Sequence, residues 1–331
     1  MTYFSAPLQV GIIGSGFVAK LRAELFTNDP RSEVVAIAGT PSRTREIVAS
    51  LSLSAQTYAD PRDLIARSDL DLVVIANANC DHGDLAAAVL ASGKNAIVEY
   101  PLSLAFDQAR ELVAYAEAHN LLLHIEHIEL LSGVHQTVKQ HLAEVGEVWH
   151  ARYVTQNPQR PAPDKWTYRP AQFGFPLVAS LSRIHRLTHL FGAVSTVSCQ
   201  VKYQGADLPH RFTSCICQAQ LQFSNGVMAE VGYSKGEGIW QPQRSLVIEG
   251  SKGAMVFEGE KGRLVTAEGE TALQASAPQG LFKQDTIAVL DFLFEQKPLY
   301  TQSSHALYAL GVGEAAARAA STNQVISIDF D

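Results

Sequence analysis

Near the N-terminus, the run Val10-Gly11-Ile12-Ile13-Gly14-Ser15-Gly16-Phe17-Val18-Ala19 sets Gly14, Gly16 and Ala19 in a G-x-G-x-x-A spacing. An apolar strand pattern precedes it and an amphipathic helix pattern follows. Gly14 permits a tight turn, Gly16 has no Cβ to obstruct a pyrophosphate, and Ala19 lets helix and strand approach closely. The helix N-terminus would then offer N–H groups and a positive dipole end to the phosphates. The chemistry implied is dinucleotide binding. The end of the second strand selects the dinucleotide. Ala38-Gly39-Thr40-Pro41-Ser42-Arg43 contains no carboxylate to accept from the ribose hydroxyls. Thr40 and Ser42 can donate hydrogen bonds there, and Arg43 can pair with a 2′-phosphate. NADPH is therefore expected over NADH; the bland alternative makes Arg43 and Arg45 solvated helix residues.

Other residues suggest acid–base or anion chemistry. Arg183 lies in an otherwise apolar helix pattern, where a charge needs a reason. Glu99 and Glu126 end successive strand patterns, so they either share a proton or make structural hydrogen bonds. His124 and His127 point to opposite faces if their strand is regular, and His127 is placed to line the cofactor cleft. His185 and His189 have i,i+4 spacing, but no third ligand accompanies them and no metal is expected. The four cysteines include no CxxC pair, which fits small apolar residues in a reduced protein.

These residues need a scaffold. With 331 residues the chain exceeds one ordinary core, and two domains are expected. Apolar residues make up 47% and charged residues 18%, which excludes intrinsic disorder. Lys and Arg number 26 against 33 Asp and Glu, a net charge of −7. An acidic protein has no general attraction to nucleic acid or anionic membrane, so neither partner is expected, and any bound anion must be held by a local basic group. The opening MTYFSAPLQV lacks the pattern of a signal peptide, and no apolar run approaches the ~20 residues of a membrane span. A cytoplasmic location is expected.

Strand patterns at 8–13, 33–38, 70–76, 95–98 and 121–126 alternate with helix patterns at 17–26, 42–51, 82–91 and 104–119. Short apolar strands separated by helices imply parallel pairing with both faces covered. The expectation is an α/β chain whose residues 1–127 form a doubly wound Rossmann domain. Residues 128–331 then form an α+β domain with a large, open, mostly antiparallel sheet. Its strands are expected at 147–155, 194–203, 213–223, 227–234, 245–249 and 254–258. Its helices are expected at 132–143, 177–191, 285–294 and 304–319. Asn225-Gly226 reads as a two-residue hairpin turn with both residues at positive φ.

The combination GIIGSGFVA, IANANCDH and VEYP resembles the Gfo/Idh/MocA oxidoreductases, as does RSLVIEGSKGAMVFEG in the second half. Sugar-oxidising members carry Glu-Lys-Pro where this chain has Glu99-Tyr100-Pro101. They also carry a helix with an acid–base His and a partner Asp. Aligned back from Leu190-Phe191-Gly192, those positions fall near Val178, Ser180, Ser182 and His185, and no Asp lies between Gln172 and Gly192. Without that Lys and Asp, deprotonation of an alcohol lacks its groups. VEYPLSL, LLLHIEHIELLSGVH and FGFPLVASLSR instead resemble a divergent branch of the family, the biliverdin reductases of cyanobacterial type.

That resemblance implies NADPH-dependent reduction of the C10 methine bridge of biliverdin IXα to give bilirubin. It implies cofactor contacts at Gly14, Ser15, Gly16, Phe17, Thr40, Ser42, Arg43, Ala76, Asn77, His82 and Glu99. Tyr100, Glu126, His127 and Arg183 are the expected substrate-binding residues, with Arg183 and Tyr100 catalytic. The exposed sheet face is expected to offer the flat pigment a wide apolar shelf. Arg152, Arg169, Arg186, Lys235 and Arg244 stay open as partners of its propionates, and Tyr153, Trp166, Phe173 and Phe175 as stacking surface. Competing readings are a sugar or polyol dehydrogenase of the same family, and a catalytically silent NADPH-binding regulator. The expected oligomeric state is a monomer or weak homo-oligomer.

Overall fold

The computed structural model describes residues 7–205, 207–275 and 280–329. The described chain divides into two compact units. One runs up to Ile128 and takes in Gly280–Leu307; the other begins at Glu129 and resumes at Tyr308.

The first unit holds six parallel strands in the order β3-β2-β1-β4-β5-β6: β1 Leu8–Ile13, β2 Ser32–Ala38, β3 Gln56–Tyr58, β4 Leu72–Ile75, β5 Asn95–Val98 and β6 Leu123–Ile125. Five helices connect them: α1 Phe17–Thr27, α2 Pro41–Ser50, α3 Pro61–Ile65, α4 Asn79–Ala91 and α5 Phe106–Ala118. The order reverses beside β1, which puts the binding crevice of such a sheet at the carboxyl ends of β1 and β4. Strand β1 is central, so Leu8, Val10 and Ile12 are fully buried on the side where α1 packs. A helix from far along the chain, α10 (Leu281–Glu295), completes that core by placing Val289, Leu290 and Leu293 against Ala19, Ala23 and Phe26. A linear division at residue 127 does not contain it.

The second unit is built on a nine-stranded sheet ordered β14-β13-β12-β11-β7-β10-β9-β8-β15. The strands are β7 Val148–Pro158, β8 Val194–Gln204, β9 Ser214–Phe223, β10 Met228–Gly236, β11 Gln243–Gly250, β12 Gly253–Glu258, β13 Lys261–Thr266, β14 Gly269–Gln274 and β15 Ile326–Ser327. Among the described residues, only β7 and β10 of this sheet pair in parallel. Helix α6 is Gly133–His141, α7 Pro170–Phe173, α8 Pro176–Ala179 and α9 Ser182–Phe191; α11, Ser303–Thr322, crosses from one unit to the other.

Two local expectations need correction. Residues 177–191 are two helices instead of one. Ser180 turns its hydroxyl onto the Pro176 carbonyl at 2.6 Å and leaves helical geometry at ψ 38°, ending α8. Arg183 therefore sits in the first turn of α9. Gly313 of α11 lets this break pack, since a Cβ there would already stand 3.3 Å from Val178 and 3.4 Å from Leu181. The second correction is the β9–β10 hairpin. Gly226 N–H donates to Phe223 O and Phe223 N–H to Val227 O, and only Gly226 has positive φ (94°). The loop is a three-residue connection closed by a glycine.

Candidate functional site

The glycine turn joins β1 to α1. A Cβ on Gly14 would lie 2.4 Å from the Ala76 carbonyl oxygen, and its φ is +140°, so the protein itself demands glycine there. Gly16 differs. It caps α1, a Cβ added to it meets nothing within 4 Å, and the first turn of α1 has neither a side-chain cap nor an acidic residue. That leaves an open approach to the helix N–H groups, the cradle a pyrophosphate fits. Ser15 Oγ accepts from Thr40 N–H at 3.3 Å, tying the turn to the end of β2. Phe17 is 79% exposed beside it. Thr40, Ser42 and Arg43 are exposed, and Arg43 has no partner among the described residues. After β4, Asn77 donates to Asp81 at 2.9 Å while its buried Oδ1 has no donor among the described residues. An acceptor stranded in this way suits a donor from a bound nucleotide. His82 is buried; its closer ring contact is Nδ1 to Pro101 O, 2.8 Å, with Asn77 O at 3.4 Å from Nε2. Burial lowers its pKa, so it orders two site loops as a neutral ring. Removing the cation in Arg43→Ala is expected to shift the ratio of NADPH to NADH affinity toward NADH by tenfold or more, measured by titrating both cofactors. An unchanged ratio makes Arg43 a solvated helix residue.

At the ends of β5 and β6 the structure brings together Glu99, Tyr100, Glu126 and His127. The Tyr100 and His127 rings stack, centroids 5.4 Å apart and 6° from parallel. Tyr100 is half-buried, whereas Glu126 and His127 are buried. Beneath them lies an ionic network. Arg22 of α1, fully buried, donates to Glu99 at 2.8 Å and to Thr286 at 3.1 Å, and pairs with Asp285 at 2.5 Å. His124 Nε2 lies 2.7 Å from Asp285, and Tyr300 O–H donates to Asp285 at 2.7 Å while accepting from His127 N–H at 3.1 Å. Burial disfavours the charge on Asp285, but Arg22 and then His124 more than offset it, holding the carboxyl well below its usual range. Glu126 goes the other way. Burial first, then the charges of Glu99 and Asp285, raise it well above the usual range, and Arg22 opposes this only in part.

A carboxyl raised in the folded state contributes its full stability below its unfolded pKa and loses it as pH rises through the folded value. Wild-type Tm is expected to fall as pH climbs above the ordinary glutamate range. Glu126→Gln, which cannot ionise, should flatten that fall in calorimetry between pH 5 and 9; parallel Tm curves would mean that Glu126 does not titrate there.

Sequence reasoning reached Glu99 and Glu126 but not Arg22, Asp285, Thr286 and Tyr300. The available signal was a charge inside an apolar helix, the argument applied to Arg183. Both FVAKLRAELFT and LFKQDTIAVLDFLFE carry it.

In the second unit, Arg183 Nε donates to Thr155 Oγ1 at 3.3 Å and Nη1 to Ser182 Oγ at 3.1 Å, with the guanidinium 5.2 Å from the Tyr233 ring. Thr155 and Tyr233 are register partners on β7 and β10, so Arg183 stands over the helix-covered face. The opposite, open face mixes apolar side chains, among them Val154, Ile216 and Met228, with polar ones. Ser198, Gln200, Gln218, Gln220 and Glu230 line a groove of about 480 Å³ there. The strands alternate buried positions toward the helices and amides outward. The basic candidates separate as well. Arg152 is exposed on the strand positions that alternate with buried Ala151 and Tyr153, and Arg169 pairs with Asp164 at 2.8 Å. Lys235 is 5% exposed, donates to the Thr167 carbonyl and lies over the rings of Phe173 (3.6 Å) and Tyr168 (4.5 Å). Burial pushes its ammonium down to about 8. It clamps the segment leading into α8, and Tyr153 and Phe173 are core rings. Among the described residues, no group of three or more His, Cys, Asp or Glu could hold a metal ion, and no helix is long and apolar enough to cross a membrane.

Comparison with known proteins places this architecture. Residues 8–127 match the model of an oxidoreductase family with an NAD-binding Rossmann fold, and residues 136–328 match that family's C-terminal α/β domain. The crystal structure of biliverdin reductase from Synechocystis sp. PCC 6803, in complex with biliverdin and NADP+, is 44% identical and superposes with a TM-score of 0.93 over 96% of this chain and 100% of that one. Human biliverdin reductase A is 27% identical over 208 residues, 62% of this chain and 66% of the human protein. A levoglucosan dehydrogenase complexed with NADH shares the fold at 16% identity and a TM-score of 0.85. The chain belongs to the Gfo/Idh/MocA family of NAD(P)H-dependent oxidoreductases, within the branch that contains the biliverdin reductases.

Proposed function

We propose that this protein reduces biliverdin IXα to bilirubin, with hydride passing from NADPH to the C10 methine carbon. The observation that carries the reading is the full-length likeness to the Synechocystis enzyme crystallised with biliverdin and NADP+. Tyr100 supports it, because it stands where a sugar dehydrogenase needs a lysine.

Gly14 and Gly16 shape the pyrophosphate turn, Thr40, Ser42 and Arg43 hold the 2′-phosphate, and Ala76, Asn77 and Glu99 border the nicotinamide end. When bound, NADPH supplies the hydride. The acceptor is an electron-poor carbon, so no protein group has to deprotonate an alcohol, which fits the missing Lys and Asp. Tyr100, stacked on His127, offers the pigment a flat edge and a hydroxyl. Arg183 stabilises negative charge on the bilin and orients the pyrrole nitrogen for protonation. A guanidinium with a pKa above ~12 is a poor acid, so the proton comes through water held by it.

Purified protein mixed with NADPH and biliverdin should convert the long-wavelength absorbance of biliverdin into the bilirubin band. Polyol-dependent reduction of NADP+ without pigment turnover, or binding without turnover, would overturn the proposal.

A further inference from the structure

Lys235 lies on β10, where Cys215 of β9 is its antiparallel partner and Tyr233 precedes it by two residues on the same face. It is 5% exposed, and no carboxylate pairs with it among the described residues. Three aromatic rings surround the ammonium: Nζ stands 3.6 Å from the centroid of Phe173, 4.5 Å from that of Tyr168 and 5.2 Å from that of Phe212. A bond to the Thr167 carbonyl fixes the remaining direction.

A methionine would fill this space without losing hydration. What the cation adds is attraction to ring faces, strongest where water is excluded, together with a directed donor. Much of this acts on one segment, since Thr167, Tyr168 and Phe173 all come from the stretch that leads into α8. Phe173 passes the constraint on. Its ring lies 6.4 Å from that of Tyr233 and 31° from parallel, and the Arg183 guanidinium lies 5.2 Å from the Tyr233 ring. A column of rings therefore runs between two cations, with Lys235 at the buried end and the half-buried Arg183 at the other.

The titratable groups around the lysine are Cys215, its neighbour Tyr203 on β8, and Tyr168; Arg211 and Glu237 hold the Ala162 carbonyl and amide nearby. Burial pushes Cys215 up to about 11 and raises Tyr168 and Tyr203. Burial moves Lys235 the other way, down to about 8. Of these four, the lysine is the one whose charge changes between pH 7 and 9.

We propose that Lys235 is a positioning residue, whose caged ammonium fixes the rings of Phe173 and Tyr233 and through them the guanidinium of Arg183. Its consequence for turnover rests on the functional reading above.

The first test needs no pigment. In protein labelled with 13C at the tyrosine ε carbons, the Tyr233 cross-peak is identified by its loss in Tyr233→Phe. It should shift with a midpoint near pH 8 in the wild type and stay in place in Lys235→Met. The second test is kinetic. At pH 7, Lys235→Met should lower kcat for biliverdin by roughly threefold or more, with the KM for NADPH unchanged. The ratio of wild-type to variant turnover should shrink toward one as pH rises through 8. Stability supplies the contrast. Burial favours the neutral amine in the folded chain, so unfolding takes up a proton above pH 8, and wild-type Tm relative to the variant should rise where relative turnover falls. Tm and turnover changing in the same direction would make Lys235 a packing residue and overturn the proposal. A Tyr233 peak that is stationary in the wild type, or moves equally in Lys235→Met, also overturns it. Unchanged turnover of biliverdin in Lys235→Met does the same and leaves the functional reading standing. Wild-type protein whose Tyr233 peak titrates as expected but which never reduces biliverdin refutes the functional reading alone.

Discussion

Arg22→Ala is expected to be the most destabilising single change in the first unit. The guanidinium is fully buried and divides its edges between Glu99 and Asp285, so truncation strands two carboxylates beside a third, Glu126. Removing one partner of a buried pair costs ~3–5 kcal/mol, because the charge left behind has no solvent. For a unit of this size that corresponds to a fall in Tm of roughly 6–20 °C. Arg22→Lys should rescue little, since a single ammonium cannot reach both carboxylates along two edges. Burial disfavours the charge on Arg22 itself, but Asp285, Glu99 and Glu126 together hold its proton more firmly still. A scanning-calorimetry Tm within 2 °C of wild type would mean that the cluster neutralises itself by other means. The rest of the molecule is a useful control, because the Lys235 clamp in the second unit involves none of these groups.

The second large effect is on turnover. Arg183→Ala should lower kcat with biliverdin tenfold or more, ~1.4 kcal/mol or above in activation free energy, and leave NADPH affinity intact. The mutation removes a cation from an N-terminal helical turn, where the dipole disfavours it, so lost stability is not the expected cause. Arg183→Lys keeps the charge but gives up the planar fork over Tyr233 and the bond to Thr155, and should behave more like Ala than like wild type. Unchanged turnover in both variants would remove Arg183 from the mechanism. A drop matched by an equal fall in Tm would reassign it to packing.

Much of this was legible in the amino-acid sequence, for reasons that can be named. The apolar runs ending at Ile13, Ala38, Ile75, Val98 and Ile125 are strands buried on both faces, and such strands write their position directly as continuous hydrophobicity. Strands β13 and β14 escaped because KGRLVT and GETALQ lie toward an edge, and β14 buries a single residue, so no apolar period exists to detect. The break between α8 and α9 depends on one serine hydroxyl choosing a carbonyl four residues back, which no periodicity records. Alternation reveals that a strand has two faces, but not which one receives the helices. Asp285 and Tyr300 meet Arg22 and His127 across more than 170 residues of sequence, and a buried ionic partnership at that range leaves no local mark.

The return of Leu281–Glu295 to the first unit also bears on how the polypeptide is made. When the ribosome has delivered the six parallel strands, Arg22 still lacks Asp285, and the side of α1 that will meet Val289 and Leu293 is uncovered. Some 150 further residues must emerge before that gap closes, at the usual ~5–20 residues per second. The nucleotide module is therefore first begun and late finished. A nascent chain arrested near residue 130 should remain protease-sensitive and acquire resistance only once α10 has left the exit tunnel.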